Sequence, residues 1–422
     1  MASKPFRLLH AANLQLDCPL RGVGSVQDEI REIVDTATLV AFDRLINFAM
    51  EKDVDALLVT GNTFDAQHPS LAAEVAMRDG FERLAEKSIP VFVVPGELDP
   101  ASAWMDLPRL PENVTLFIDG DDTPVDITDH GHLLATIFPV SASTSIEPEE
   151  LSNILGGRTN SKGDRPFVVG MLLTEHDVIR QERSKMNPNR FAALDWLVCP
   201  TGTDADSMPL TDGQVHAQSA PQGMSAAETG SHGVTILEVD AHRNAKHSLL
   251  NMAPVRWEKI VQPIDRVKNR DELLERMLAQ LERLPSHRGE LVRIVDWKLD
   301  RTSGDAHGWE QESAAKELAA AITELSDQPD GLRYVHRVEA VDPDLTLIEP
   351  AQREVLTEYL LALGRRAPNN PGAFAKWIAD ARVEGVLNQT DWEQWTDSIT
   401  TEMVADRAQK LGWKWFAEIG KK

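Results

Sequence analysis

Short apolar runs alternate with longer segments of helical spacing along the first part of the chain. Phe6 to Ala11 is the first apolar run. Residues 28–53 then place Ile30, Ile33, Val34, Leu39, Ala41, Phe42, Leu45 and Ile46 at helical intervals, which predicts one amphipathic helix. Asp55 to Thr60 predicts a buried strand stopped by Gly61. Residues 69–88 predict a second helix through Leu71, Val75, Met77, Phe81 and Leu84, and Pro90 to Pro95 predicts a third strand ended by Gly96. Such alternation implies a mainly parallel sheet flanked by helices. Sites in open α/β sheets gather at the carboxyl ends of the strands. Asn13–Asp17, Gly61–Asp65 and Gly96–Asp99 are therefore expected to converge.

Further strands are predicted at Val114–Ile118, Leu133–Phe138, Phe167–Leu173, Leu194–Cys199, Val215–Ala220, Val234–Val239, His247–Met252 and Trp257–Val261. A short helix is predicted near Pro148–Leu155, where the proline suits a first helical turn. The stretch 201–232 is rich in Gly, Ser, Thr, Asp and Gln and has the character of a long loop. Near residue 265 the pattern changes. Helix 270–284, strand 290–299, helix 310–326 and strand 332–341 predict a small α/β cap, and helical segments follow at about 351–364, 372–386 and 391–418. Trp392, Trp395, Ile399 and Met403 form an apolar stripe on the last of these. That stripe packs on the chain's own cap or docks a partner helix, since Trp and Met are enriched at interface cores.

The length of 422 residues sets an expectation of roughly two to three domains at ~150 residues each. The pattern divides them as 1–262, 263–345 and 346–422. A net charge of −24 argues against general affinity for nucleic acid, because phosphate contacts need Lys and Arg. It leaves room for a local basic patch, for which Arg21, Lys162 and Arg165 are the candidates. No run approaches the ~18 apolar residues of a membrane span. The N-terminal residues lack the apolar stretch of a signal peptide. Two cysteines, Cys18 and Cys199, fit a reducing compartment. The expectation is a cytoplasmic protein with no membrane association.

The strand ends carry the candidate chemistry. His10-Ala11-Ala12-Asn13-Leu14-Gln15-Leu16-Asp17 is the first motif, Val59-Thr60-Gly61-Asn62-Thr63-Phe64-Asp65 the second, and Val94-Pro95-Gly96-Glu97-Leu98-Asp99-Pro100 the third. Supporting stretches are Pro19-Leu20-Arg21-Gly22, Pro111-Glu112-Asn113-Val114, Ser219-Ala220-Pro221-Gln222-Gly223 and Glu228-Thr229-Gly230-Ser231-His232-Gly233-Val234. In spacing and context these residues resemble the calcineurin-like metallophosphoesterases, and more closely their SbcD/YhaO branch of DNA-repair exonucleases. The resemblance is good over roughly residues 6–240 and looser over 241–300. It implies an α/β fold: a four-layer β-sandwich flanked by helices, with a small α/β cap and a C-terminal helical region. It also implies two Mn or similar divalent ions, held by carboxylates and imidazoles, that activate a bridging water and brace phosphoryl oxygens.

At every position that aligns with a ligand of that pattern, this sequence departs. Asp-x-His is Asn13-Leu14-Gln15; the bridging Asp is Asn62; Asn-His is Glu97-Leu98; the lone His falls on Leu173; the closing His pair falls on Thr201 and Thr203. His176 and His216 lie near enough in sequence to these last positions for a shifted register. Only Glu97 in the aligned set carries charge, which cannot offset two divalent cations. The expectation is therefore a protein without catalytic residues, resident metal or other cofactor, with Glu97, Asp17, Asp65 and Asp99 as residual oxygen donors. Asp17, Asp65 and Asp99 equally suit helix caps and turns, and Gly61 and Gly96 suit tight turns. His10 is expected to be a packed core residue, and Gln222 and Glu228 to be structural.

The resemblance implies a partner, a coiled-coil ABC-type ATPase of the SbcC or YhaN type, with Trp392, Trp395, Ile399 and Met403 as the place to look for its grip. A homodimer, and DNA reached through the complex, belong to the same reading. The competing readings are an active metal-dependent phosphoesterase or DNA nuclease with a rearranged site, and a module that binds a nucleotide or DNA end without cutting it.

Overall fold

The computed structural model of the chain describes residues 4–107, 110–118, 123–141, 146, 148–159, 165–173, 191, 193–200, 214–264, 267–300, 312–326 and 331–341. They fall into two compact units. The first holds the segments up to Lys259, Pro285–Val295 and Ser326–Val335; the second holds segments that begin at Ile260, Asp296 and His336.

Two sheets form the body of the first unit. In the first sheet β1 (Phe6–Ala12), β2 (Ala56–Gly61), β3 (Val91–Pro95) and β4 (Val114–Leu116) run parallel. β10 (Gly233–Val239) lies antiparallel against β1, and β11 (Ala245–Asn251) lies outside β10. The spatial order is β11-β10-β1-β2-β3-β4. The second sheet is ordered β5 (Val125–Asp129), β6 (His132–Ser141), β7 (Phe167–Leu173), β8 (Trp196–Pro200) and β9 (Gln214–Gln218). β5 is antiparallel to β6, and the rest are parallel.

Alternation along the strands sorts side chains into layers. Leu8, Leu58, Phe92 and Val94 of the first sheet meet Ile137, Val169, Met171, Trp196 and Val198 of the second in one buried cluster. Leu9, Leu57, Val59, Val91 and Val93 face the other way, onto Phe42, Leu45 and Ile46 of α2 (Ala37–Glu51) and Met77, Phe81 and Leu84 of α3 (Leu71–Glu86). Beyond the second sheet, Val140, Val168, Leu172 and Leu197 pack with Leu151 and Leu155 of α5 (Pro148–Leu155). Helices, sheet, sheet and helix make four layers, the α/β arrangement the sequence implies.

The predicted helix over 28–53 is instead two helices. α1 (Asp28–Asp35) ends at Thr36, whose hydroxyl donates to Glu32 O at 2.8 Å, and α2 starts at Ala37. The break serves two cores: Ile30 and Val34 pack with Leu20, Met224 and Trp257, whereas α2 covers the first sheet. Apolar spacing alone does not separate two collinear helices from one. The strand predicted at Val114–Ile118 is shorter, because β4 ends at Leu116. β5 and the one-turn α4 (Ala101–Met105) have no counterpart among the sequence expectations. β5 exposes alternate polar residues and buries only Ile127, which gives an edge strand little apolar signal.

β12 (Val255–Pro263), β13 (Val292–Asp300) and β14 (Arg333–Val341) form a third sheet in that order. In the second unit α6 (Arg270–Leu281) buries Leu273, Met277 and Leu281 and is capped by Asn269, whose side chain accepts from Glu272 N–H at 3.0 Å. α7 (Glu312–Ser326) buries Leu318 and Ile322. Trp392, Trp395, Ile399 and Met403 lie outside the described residues. Among the described residues no helix is long and apolar enough to cross a membrane.

Gly233 opens β10 opposite Asn251, and a Cβ there would collide with the carbonyl oxygen of Leu250. Backbone in a ladder cannot yield as a flexible side chain does. Gly233→Val is expected to cost at least about 2 kcal/mol, measured as a lowered urea midpoint at pH 7.

Candidate functional site

Beyond the end of β1 the chain keeps its partner. Asn13 N–H donates to Thr60 O at 2.9 Å, Gln15 N–H to Asn62 O at 3.0 Å, and Leu16 N–H to Thr63 O at 2.8 Å. Leu14 and Leu16 are buried in the helix-side core, while Asn13, Gln15 and Asp17 between them are half-buried. These three adopt left-handed backbone, with φ of 49°, 45° and 57°. Asn and Asp tolerate that region better than most side chains. The alternation puts positions 13, 15 and 17 on one side of the loop.

The three strand-end loops are joined in series by side chains that accept backbone N–H groups. Asn13 Oδ1 accepts from Asn62 N–H at 3.1 Å, and Asn62 Oδ1 accepts from Leu98 N–H at 2.9 Å. Leu98 O in turn accepts from Ala66 N–H at 2.9 Å. Gly61 and Gly96 are what lets these carboxamides approach: a Cβ on Gly61 would strike Asn13 Oδ1, and one on Gly96 would strike Asn62 Oδ1. Gly61 does adopt φ +77°, but Gly96 is required by this close approach and not by a left-handed turn, which corrects the expectation drawn from sequence. The built Cβ of Gly61 also comes within 3.0 Å of Pro200 Cβ, so the end of β8 reaches the same place.

Asp99 is fully buried and receives three donors. Oδ2 accepts from Thr63 N–H at 2.9 Å and Trp104 Nε1–H at 3.0 Å; Oδ1 accepts from Gly96 N–H at 2.7 Å. Burial pushes its carboxyl up to about 7, against the pull of those donors. Because the folded-state value lies above the unfolded one, its contribution to stability is full below about 4 and is lost as the pH rises through 7. Asp17 accepts from Ser70 Oγ, the cap of α3, and its N–H donates to Thr38 Oγ1 at 2.9 Å. Asp65 closes a turn, accepting from Gln67 N–H at 2.8 Å and from the ring of His68 at 2.9 Å. The His68 bond is the first cause of its lowered pKa. The three acids therefore sit in three separate hydrogen-bonding arrangements. Burial first, then the fields of Asp65 and Asp17, push the Cys18 thiol up to about 11.

Glu97 is exposed and Leu98 half-buried. Leu173, at the end of β7, packs against the apolar layer between the sheets. Thr201, Thr203, His176 and Lys162 lie outside the described residues. Arg165 pairs with Asp195 at 2.6 and 3.0 Å, and Arg243 shares that carboxylate at 2.7 Å. Gln222 is buried and pairs both ways with the backbone of Val255, donating at 2.8 Å and accepting at 3.2 Å. Glu228 accepts from Met224 N–H at 3.3 Å. Cys199 is buried on β8. His10 is buried on β1 with its Nε2 at 2.9 Å from Thr60 Oγ1. His216 joins it: the rings lie 5.9 Å apart, His10 from the first sheet and His216 from the second. Nothing in the sequence spacing announced that meeting. Among the described residues no three His, Cys, Asp or Glu side chains gather so as to hold a metal ion.

No protein-family model matches the chain. It is 24% identical over 316 residues to the metallophosphoesterase YhaO of Bacillus subtilis, a match covering 70% of this chain and 74% of that protein. It is 28% identical over 118 residues to the DNA double-strand break repair protein Mre11 of Sulfurisphaera tokodaii, covering 27% and 29%. Among solved structures it is similar to a dimetal phosphatase from Danio rerio, at TM-score 0.32 and 10% identity over 55% of this chain and 92% of that one. It is similar also to GAP50 of Plasmodium, at TM-score 0.36 and 10% identity over 59% and 85%. With the four-layer sandwich and the strand-end loops, these sequence matches make the chain similar to the calcineurin-like metallophosphoesterases. Within that class the similarity is to the SbcD/YhaO type.

Two substitutions probe the series of loops. Asn62→Ala removes the acceptor of Leu98 N–H and is expected to cost about 1 kcal/mol or more. Asp99→Asn turns one accepting oxygen into an amide facing a backbone or indole N–H, at an expected cost of about 1–3 kcal/mol. Urea denaturation at pH 7 measures both.

Proposed function

We propose that this SbcD/YhaO-type chain has lost the dinuclear metal centre and acts as a non-catalytic partner or scaffold of a coiled-coil ABC-type ATPase in DNA repair. The observation that carries the reading is the use of Asn13 Oδ1 and Asn62 Oδ1 as acceptors for the backbone of the neighbouring loops. A carboxamide accepts an N–H as a carboxylate does but brings no charge. Two divalent cations need several carboxylates and imidazoles to replace their hydration. The described residues at these positions offer carboxamides, apolar side chains and an exposed Glu97, so they do not fit such a pair of ions. Leu98 and Leu173 supply neither a ligand nor a proton.

The partner role rests on the family and on the stripe of Trp392, Trp395, Ile399 and Met403, the proposed grip on an ATPase of the SbcC or YhaN type. The net charge of −24 favours reaching DNA through that complex over direct binding. Elemental analysis of the purified full-length protein, with a Mn²⁺-supplemented assay on DNA ends and a chromogenic phosphodiester, tests the first half. Substoichiometric metal and no turnover are expected. Stoichiometric metal with turnover abolished by Glu97→Gln would establish the rearranged enzyme instead. Co-purification with a long coiled-coil ATPase, weakened by paired Trp392→Ala and Trp395→Ala, is the expected outcome for the second half.

A further inference from the structure

The space between the two sheets is apolar along most of its length, but near its β9 edge it holds imidazoles. His10 of β1 is buried there, His216 of β9 is half-buried, and His247 of β11 lies beside them on the exposed edge. His216 lies 5.9 Å from His10 and 5.2 Å from His247, with the Trp196 ring of β8 stacked on it at 5.8 Å. The His10–His216 contact spans the two sheets. It lies directly under the strand-end loops, because Thr60, the partner of His10, also accepts the Asn13 N–H through its carbonyl.

Hydrogen bonds fix the tautomer of the neutral His216 ring. Gln218 Nε2 donates to Gly233 O at 2.9 Å and Ser219 O at 3.0 Å, which leaves its Oε1 as an acceptor. Thr235 Oγ1 donates to that Oε1 at 2.5 Å and so accepts from His216 Nε2–H at 2.7 Å. One proton on the ring satisfies this chain. His10 uses Nε2 on Thr60, and its buried Nδ1 has no hydrogen-bond partner. A second proton on His10 would therefore place an unpaired N–H and a positive charge in a layer built of Leu8, Leu58 and Trp196, with another imidazole facing it.

We propose that His10 and His216 form a proton-operated seam between the sheets, closed while both rings are neutral and loosened when either takes up a proton. The groups facing them are Thr60 on β2, Thr235 on β10, Gln218 on β9, Trp196 on β8 and His247 on β11. Among the described residues no carboxylate forms an ion pair with any of the three histidines, and His247 adds repulsion once it is charged. The Trp196 face, stacked on the His216 ring, offsets only part of that cost, since a cation over an indole gains less than the desolvation of a charge takes away. Burial is the main cause that moves both rings, His10 well below the ordinary histidine value and His216 down to about 4. The sign follows: a histidine whose folded value is lowered leaves stability intact above about 6.5 and withdraws it as the pH falls toward 4.

Because the buried Asp99 carboxyl has the opposite pH trend, the test is local. Hydrogen exchange of the full chain, read on peptides spanning Phe6–Ala12 and Gln214–Gln218 and corrected for intrinsic rates, is compared at pH 7 and pH 5. One histidine released from about 4 to 6.5 raises the opening equilibrium about 20-fold over that interval. In the doubly substituted His10→Gln, His216→Gln protein that rise is expected to disappear, since glutamine can donate to the same hydroxyls without titrating. Proton NMR of the wild-type imidazoles needs no substitution: the His10 and His216 rings are expected to stay neutral down to pH 5. Rings that titrate near 6.5, or an unchanged rise in the doubly substituted protein, would overturn the proposal.

Discussion

Three parallel strands end side by side; the loop after β1 goes on pairing with the chain beyond β2, whereas the loops after β2 and β3 have backbone N–H groups that no strand pairs with. Everything at this end of the molecule follows from how those donors are satisfied. Asn13 Oδ1 takes the N–H of Asn62, Asn62 Oδ1 takes the N–H of Leu98, and Asp99 takes those of Thr63 and Gly96. Each loop is thus held by a side chain of another loop or of its own turn. Without those acceptors, half-buried backbone would lose its solvation at a cost of about 1–3 kcal/mol per group. The two glycines are part of the same constraint, since any side chain at Gly61 or Gly96 would occupy the place of a carboxamide oxygen.

That constraint explains how the architecture can persist while its charge changes. An acceptor at positions 13 and 62 is needed to hold the loops, and Asn meets that need as well as Asp. What Asn omits is the negative charge, whose repulsion in a half-buried pocket a cation would relieve. A neutral pair can therefore keep the loops joined with no ion between them. Asp99 shows the other solution: a carboxyl surrounded by three donors and pushed up to about 7 by burial.

The convergence of the three motifs was legible because β1, β2 and β3 are largely apolar runs, the last two ended by glycine or proline; the four layers came from the family resemblance. Asn13, Asn62 and Leu98 were legible as loop residues because they follow directly on strand ends. Other features were hidden. The break at Thr36 separates two faces with the same periodicity, and β5 is too polar to stand out from a loop. The role of Asp99 depends on donors from Thr63 and Trp104 in two other segments. The meeting of His10 and His216 joins residues more than two hundred positions apart, and only the packing of one sheet on the other brings it about.

The loops and the histidine seam are mechanically one object. Thr60 carries both: its hydroxyl meets His10 and its carbonyl receives Asn13 N–H. Gly61 follows, packed against the Asn13 carboxamide and Pro200. A displacement of β1 from β9 would move His10, then Thr60, then the first acceptor of the series, and strand ladders pass such shifts on because neighbouring strands share their register. The two imidazoles thus lie on the lower side of a platform whose upper side is the set of strand-end loops. In the proposed reading these loops are held by neutral hydrogen bonds above and by two uncharged rings below, so the seam proposed there would tie their order to the solvent's proton concentration.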